Sequence, residues 1–394
     1  MPSPISSLAA KAGVGFIGAA AVLGLLLPKA LPAFPVVSDS LDYQMIAQGL
    51  VERHTYLDIS AEQLLYPPGY PVLLALAFWI QGGVGYGSVH FLQTLLVGIS
   101  AWLAFLLLRK LGQRPPIALG GGAVTLFWPY LLLYAHLVAS EIPYVALLVA
   151  GVTAFIHGWE RPGWRWPAGT GILFGLAILV RPVALFLPLG LLLFFAGLML
   201  IRWLPRNDAL LRFAGIAWLA SLLTIAPWVA AVSAYAQRFV PVASNLSFVL
   251  KKSNRSLAYL PEHAGQEGYR ASLGEVAQAK LRNAVFFWDP GAGGDNMAQL
   301  AARHPAAGGL IWLYKIGYFA ILLLAAFGIW RERRRPGALV LSAVILYVWA
   351  VHTVLFPFPR YTLPILPFVI ALAALGTGRL AYASPPPHLH PGQK

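Results

Sequence analysis

Asp39 and Asp42 stand three residues apart, just after the first strongly apolar stretch of a 394-residue chain that holds only 14 acidic residues. At helical spacing the two carboxylates share one face, and Tyr43, four after Asp39, joins them. A carboxylate this close to a membrane boundary is costly to desolvate, which points to chemistry. In a site open to the membrane interface it can deprotonate an acceptor hydroxyl. Helix capping by Ser38 or Asp39 is the competing account, and the residues alone weigh the two evenly.

Four more features could serve such a site. Tyr66-Pro67-Pro68-Gly69-Tyr70-Pro71 is a rigid turn entering an apolar run, with Gly69 permitting close approach of another backbone. Glu141, preceded by Ser140, opens an apolar segment, where a carboxylate either caps a helix or faces the same cavity as Asp39. Arg181-Pro182 divides two apolar segments, and Arg360-Tyr361 follows Pro357-Phe358-Pro359 near the C-terminus. Each arginine could snorkel to an interface or hold a lipid phosphate in its planar fork. Two of them, both at helix breaks, favour the phosphate.

The elements that must position these residues are membrane helices. Hydrophobic residues make up 59% of the chain and charged residues 11%. Many windows run for a full bilayer crossing with almost no charge. The fold class is therefore an all-α polytopic membrane protein; a β-barrel is excluded because these runs do not alternate. The net charge of +14 does not imply nucleic acid, since the basic residues sit in short loops between apolar runs. No cysteine is present, so there is no disulfide or thiolate chemistry. His54, His90 and His136 lack ligand-like spacing, and no metal or other cofactor is called for. Gly120, Gly121 and Gly122 read as close helix packing.

About ten spans are expected, at 12–30, 88–108, 116–136, 141–158, 167–180, 182–201, 212–235, 309–330, 337–355 and 361–382. The run 69–82 is too short to cross and is read as a juxtamembrane or re-entrant helix on the outer face. Four basic clusters, at 109–114, 161–165, 202–212 and 331–335, then share one side with both termini, which the positive-inside rule makes cytoplasmic. Glu160, Asp208 and Glu332 fall on that side, and the other 11 acids on the opposite one. The chain divides into an N-terminal membrane module (1–235) whose first outer loop (31–87) carries the acids, an outer region (236–308), C-terminal membrane helices (309–383) and a Pro- and His-rich tail (384–394) expected to be disordered.

In this order the features resemble the GT-C superfamily of integral-membrane glycosyltransferases, and within it the bacterial branch of aminoarabinose transferase and protein-mannosyltransferase-like enzymes. The family's first outer loop has an Asp four before a Tyr, then an apolar position, matched by Asp39, Tyr43 and Ala47. Its Pro-Pro-x-Tyr-like turn is matched by Pro67-Pro68-Gly69-Tyr70, its later acid by Glu141, and its basic break by Arg181-Pro182. Its Arg-Tyr before prolines is matched by Arg360, Tyr361, Pro364 and Pro367. The chain departs at Ser40, where Glu is frequent, at Tyr66, where many members have Lys, and at His90 and Gln93, where an Arg is common. The resemblance implies transfer of a sugar, with inversion, from a polyprenyl-phosphate donor to a lipid, glycan or protein acceptor at the outer (periplasmic) face of a bacterial inner membrane. It implies Asp39 as base, Asp42 and Glu141 beside it, and Tyr43, Tyr66, Tyr70, Arg181, Arg360 and Tyr361 around the donor phosphate. It demands no metal, although some superfamily members use one. The competing class is a transporter or flippase without transferase activity, which would place ionisable residues near the bilayer midplane.

Overall fold

The computed structural model describes residues 4–30, 39–56, 66–243, 272–290, 307–355 and 357–377. The tail 384–394 and parts of the segments 31–87 and 236–308 lie outside them. The described residues form helices joined by short connections: α1 (Pro4–Ala30), α2 (Asp39–Arg53), α3 (Gly69–Gln81), α4 (Gly87–Lys110), α5 (Pro115–Leu126), α6 (Pro129–Ala135) and α7 (Glu141–Gly158). Then come α8 (Arg165–Val180), α9 (Leu187–Leu200), α10 (Asp208–Ala236), α11 (Leu273–Phe286), α12 (Ala307–Arg331), α13 (Pro336–Val354) and α14 (Leu366–Thr377). Two 3₁₀ turns, Pro182–Ala184 and Pro359–Ile365, precede α9 and α14. The fold is all-α.

Among the described residues, eight helical segments are long and apolar enough to cross a membrane, and the bent pair α5–α6 makes a ninth. The 47° bend falls where Pro129 removes a backbone donor. The remaining expected span, 167–180, corresponds to α8, which is apolar but only 16 residues long. The run after Pro68 forms the 13-residue α3, below spanning length, as its length predicts.

Helix α4 is the hub, packed against α1, α3, α5, α6, α7 and α14, while α8 lies between α7 and α10. Gly121 and Gly122 serve this packing; a Cβ on Gly122 would lie 2.9 Å from the Ala101 carbonyl oxygen of α4. Gly120 does not share that role, because it faces outward with open space beside it. Outward-facing Leu193, Leu223 and Leu323 are exposed, as suits side chains whose solvent is lipid. Buried hydroxyls bond back to their own helix, as Ser100 does to the Leu96 carbonyl and Thr125 to that of Gly121. The low-dielectric interior leaves them few other partners.

The basic clusters gather at one end of the bundle. Lys110 pairs with Glu160 at 2.8 Å, and Trp203 donates to the Arg333 carbonyl. Asp208 and Glu332 pair with arginines of the same clusters. Helix α7 runs from Glu141 to the Glu160 end and α8 returns to Arg181. Glu141 and Arg181 therefore meet at the opposite end.

Candidate active site

Two prolines create the site's cationic wall. A residue before proline is driven out of the helical region, and Arg181 is extended (φ −141°, ψ 113°) before Pro182. Its side chain leaves the line of α8 and turns back to the start of α7. Phe358 is likewise extended before Pro359, and Arg360 is carried on the 3₁₀ turn that follows.

Glu141 joins the two arginines. Arg181 Nη1 lies 2.8 Å from Glu141 Oε1, and Arg360 Nε lies 3.5 Å from the same oxygen. Glu141 is 3% exposed, so its charge is tolerable only because both guanidinia face it. Burial works against the charge of Arg181, but Glu141 outweighs it and holds the guanidinium above its ordinary range. Both guanidinia lie over the Tyr361 ring, Arg181 at 5.3 Å and Arg360 at 5.4 Å.

The acidic wall is α2. Tyr66 donates to Asp42 Oδ2 at 2.7 Å and to Asp39 Oδ1 at 3.1 Å. Asp39 Oδ2 lies 3.9 Å from Arg360 Nη2, which closes the ring of charges between the two walls. Burial and the neighbouring Asp42 and Asp39 carboxylates hold the Tyr66 phenol well above its usual range, so it remains a donor. Tyr43 packs edge-on between Tyr66 and Tyr70, at 4.9 and 4.8 Å. Burial pushes its phenol up to about 12.

Gly69 lets these walls meet. A Cβ there would lie 2.7 Å from the Leu179 carbonyl oxygen, two residues before Arg181. The close approach expected of the Pro-Pro-Gly turn is thus to the end of α8.

Asp39, Tyr43, Tyr66, Glu141, Arg181, Arg360 and Tyr361 line one cavity of about 400 Å³. Its remaining wall is largely apolar and includes Val183, Phe186, Val351 and Leu355. Asp42 is not on the wall and meets the site through Tyr66. Tyr70 is buried behind Tyr43 and does not reach the cavity. Among the described residues no group of three or more His, Asp or Glu side chains could hold a metal ion, and Glu141 is already engaged by two arginines.

Two lining residues escape a reading of the sequence. Ser140 Oγ accepts from Tyr43 and from Arg181 Nη1, at 3.3 and 3.2 Å, linking the two walls. Its only signal is its place before Glu141, which reads equally as a cap. His352 donates from Nδ1 to the Val348 carbonyl at 2.8 Å, and its ring centroid lies 4.2 Å from that of Tyr361. As a lone histidine in an apolar run it gives no signal at all.

Residues 66–247 match the sequence profile of the family described as dolichyl-phosphate-mannose-protein mannosyltransferase. No curated protein matches the chain by sequence. Among solved structures, the chain is similar to ArnT from Cupriavidus metallidurans bound to undecaprenyl phosphate, at 17% identity and a TM-score of 0.59. That match covers 92% of this chain and 59% of ArnT. It is also similar to the oligosaccharyltransferase AglB from Archaeoglobus fulgidus, in complex with an inhibitory peptide and a dolichol-phosphate. There the identity is 13%, the TM-score 0.56, and the match covers 92% of this chain and 50% of AglB. The chain thus spans between half and three-fifths of the length of these solved proteins. Its architecture is that of the GT-C superfamily of integral-membrane glycosyltransferases.

Proposed function

We propose that this chain is a glycosyltransferase that moves a sugar from a polyprenyl-phosphate carrier to a hydroxyl-bearing lipid, glycan or protein. One observation carries the reading: a carboxylate and two arginines face each other across a cavity whose remaining wall is largely apolar. A prenyl chain suits the apolar wall, and a phosphate suits the guanidinia of Arg181 and Arg360.

In this scheme the acceptor oxygen attacks the anomeric carbon and its proton passes to Asp39. The bond from that carbon to the phosphate oxygen breaks, and the electron pair leaves with the phosphate. Attack from the face opposite the leaving group inverts the anomeric centre. Arg181 and Arg360 meet the negative charge that grows on the phosphate. Glu141, paired with both, acts as their positioning residue and keeps the guanidinia aimed in advance. Tyr66 orients Asp39 and Asp42 by sharing its hydroxyl between them. No step passes through a metal.

The segregation of the basic clusters from the cavity supports a cytoplasmic basic end and a cavity facing the periplasm. Both termini then lie in the cytoplasm of a bacterial inner membrane.

The test uses the full chain, purified and reconstituted, with a panel of polyprenyl-phosphate sugars and candidate acceptors, assayed for released polyprenyl phosphate. Acceptor-dependent release from at least one donor is expected, and its loss in Asp39→Asn. Donor movement across the vesicle bilayer without release would instead identify a transporter.

A further inference from the structure

Helix α13 presents one face to the cavity, through Tyr347, Val351, His352 and, just beyond its end, Leu355. Valine and leucine bring only hydrocarbon. The Tyr347 hydroxyl is spent on the break between α8 and α9, where it donates to the Val183 carbonyl at 2.7 Å and accepts from the Phe186 amide at 3.2 Å. His352 is different. Its Nδ1 donates to the Val348 carbonyl at 2.8 Å. A carbonyl can only accept, so the proton of the neutral ring is on Nδ1 and Nε2 carries a bare lone pair. Nε2 is the ring nitrogen left to meet whatever fills the cavity.

The ring is held in place before any ligand arrives. It is 6% exposed, with Tyr361 at 4.2 Å and Phe287 at 5.9 Å between ring centroids. Phe287 is itself fully buried. The carbonyls of Thr353 and Val354, next along the chain, accept from Asn283 and Lys280. An acceptor fixed in this way loses little freedom on binding. In a largely apolar wall it discriminates among ligands by the donor it demands.

Position and chemistry narrow that donor. The Tyr361 ring that packs on His352 also carries both guanidinia, Arg181 at 5.3 Å and Arg360 at 5.4 Å. His352 therefore stands one ring away from the two arginines. A phosphate held by them presents oxygens that accept, which a bare lone pair does not attract, and a prenyl chain has no donor. A sugar joined to that phosphate brings hydroxyls about one ring's width from it. Asp39, the acceptor's base in the proposed scheme, stands on the α2 wall instead.

We propose that His352 is a specificity-determining residue, whose Nε2 accepts a hydrogen bond from a hydroxyl of the sugar while that sugar is still joined to the carrier phosphate. The assignment rests on the transferase reading of the same cavity. A donor whose sugar lacks this hydroxyl leaves the lone pair unpaired and binds less tightly.

The test is equilibrium binding to the purified full chain, as wild type, His352→Phe and His352→Gln. The probes are undecaprenyl phosphate and its glucose, galactose and mannose esters, and then the single-deoxy forms of the tightest-binding ester. In the wild type, one deoxy form is expected to bind about two- to tenfold more weakly than its parent. His352→Phe should erase that difference and leave the affinity for undecaprenyl phosphate unchanged. His352→Gln, which keeps an acceptor, should retain part of it. Parent-to-deoxy ratios that are the same in wild type and His352→Phe would overturn the assignment. So would a loss in His352→Phe that weakens undecaprenyl phosphate as much as its esters, which is the mark of a packing role alone. Binding of none of these lipids by the wild type would overturn the transferase reading and the assignment together. Every readout is independent of transfer.

Discussion

The hydroxyl of Tyr66 lies 2.7 Å from Asp42 and 3.1 Å from Asp39, so one phenol ties together two carboxylates that would otherwise repel. Its pairing also orients the oxygen of Asp39 that faces the cavity. Tyr66→Phe removes the donor and keeps the ring against Tyr43. A hydrogen bond to a charged group is worth about 1.5–3 kcal/mol. Transfer should fall by about ten- to a hundredfold while the thermal transition moves little. Initial rates and thermal unfolding of the same preparation check this.

Asp39→Asn should abolish transfer with the fold intact, since a positioned base contributes about 10²–10⁴ in rate. Asp42→Asn should cost much less, because Asp42 is off the cavity wall. Equal losses in the two variants would remove the distinction between base and support. Single-turnover rates at saturating donor make the comparison.

Glu141→Gln leaves two facing guanidinia without their shared counter-charge. Breaking a buried pair from one side costs about 3–5 kcal/mol; Arg360 retains Asp39, which places this variant at the lower end. A lowered thermal transition together with weaker donor binding is expected. Full stability would mean that Glu141 does not hold the arginines.

Gly69→Ala puts a methyl group 2.7 Å from the Leu179 carbonyl oxygen. Backbone must shift at the end of α8, and Arg181 shifts with it. Transfer should drop further than stability does, whereas Gly120→Ala, with open space beside it, should change neither. Activity and thermal unfolding of the pair supply the test.

Tyr43 gives an alkaline signature. Its phenol is pushed up to about 12 by burial, from about 10 in the unfolded chain. The stability it contributes is complete below pH 10 and is lost as the pH rises towards 12. Unfolding free energy should therefore decline over that window in the wild type and less steeply in Tyr43→Phe. Neutral-pH activity should not track this titration.

Much of the architecture was legible because membranes impose a strong rule. Backbone groups in hydrocarbon must be satisfied within the segment, so length and apolarity nearly define each helix. The short α3, the break before α9 and the cluster of basic loops follow from that rule. The 16-residue α8 fell below the ordinary spanning length because Pro182 ends it early.

Residue types and spacing by themselves determined the helical membrane class, the placement of Asp39 and Asp42 on one helical face, and the helix breaks at Arg181 and Arg360. They did not determine which charges meet. Arg181 and Glu141 are 40 positions apart, Arg360 and Glu141 more than 200, and their pairing depends on how α7, α8 and the turn before α14 converge. Only the tertiary structure decided that Glu141 faces two arginines, that Ser140 bridges the walls, and that Tyr66 binds both carboxylates while Tyr70 stays behind them. The physical reason is range: helix formation is local, whereas ion pairs in a low-dielectric cavity are made by side chains that sequence distance does not bring together.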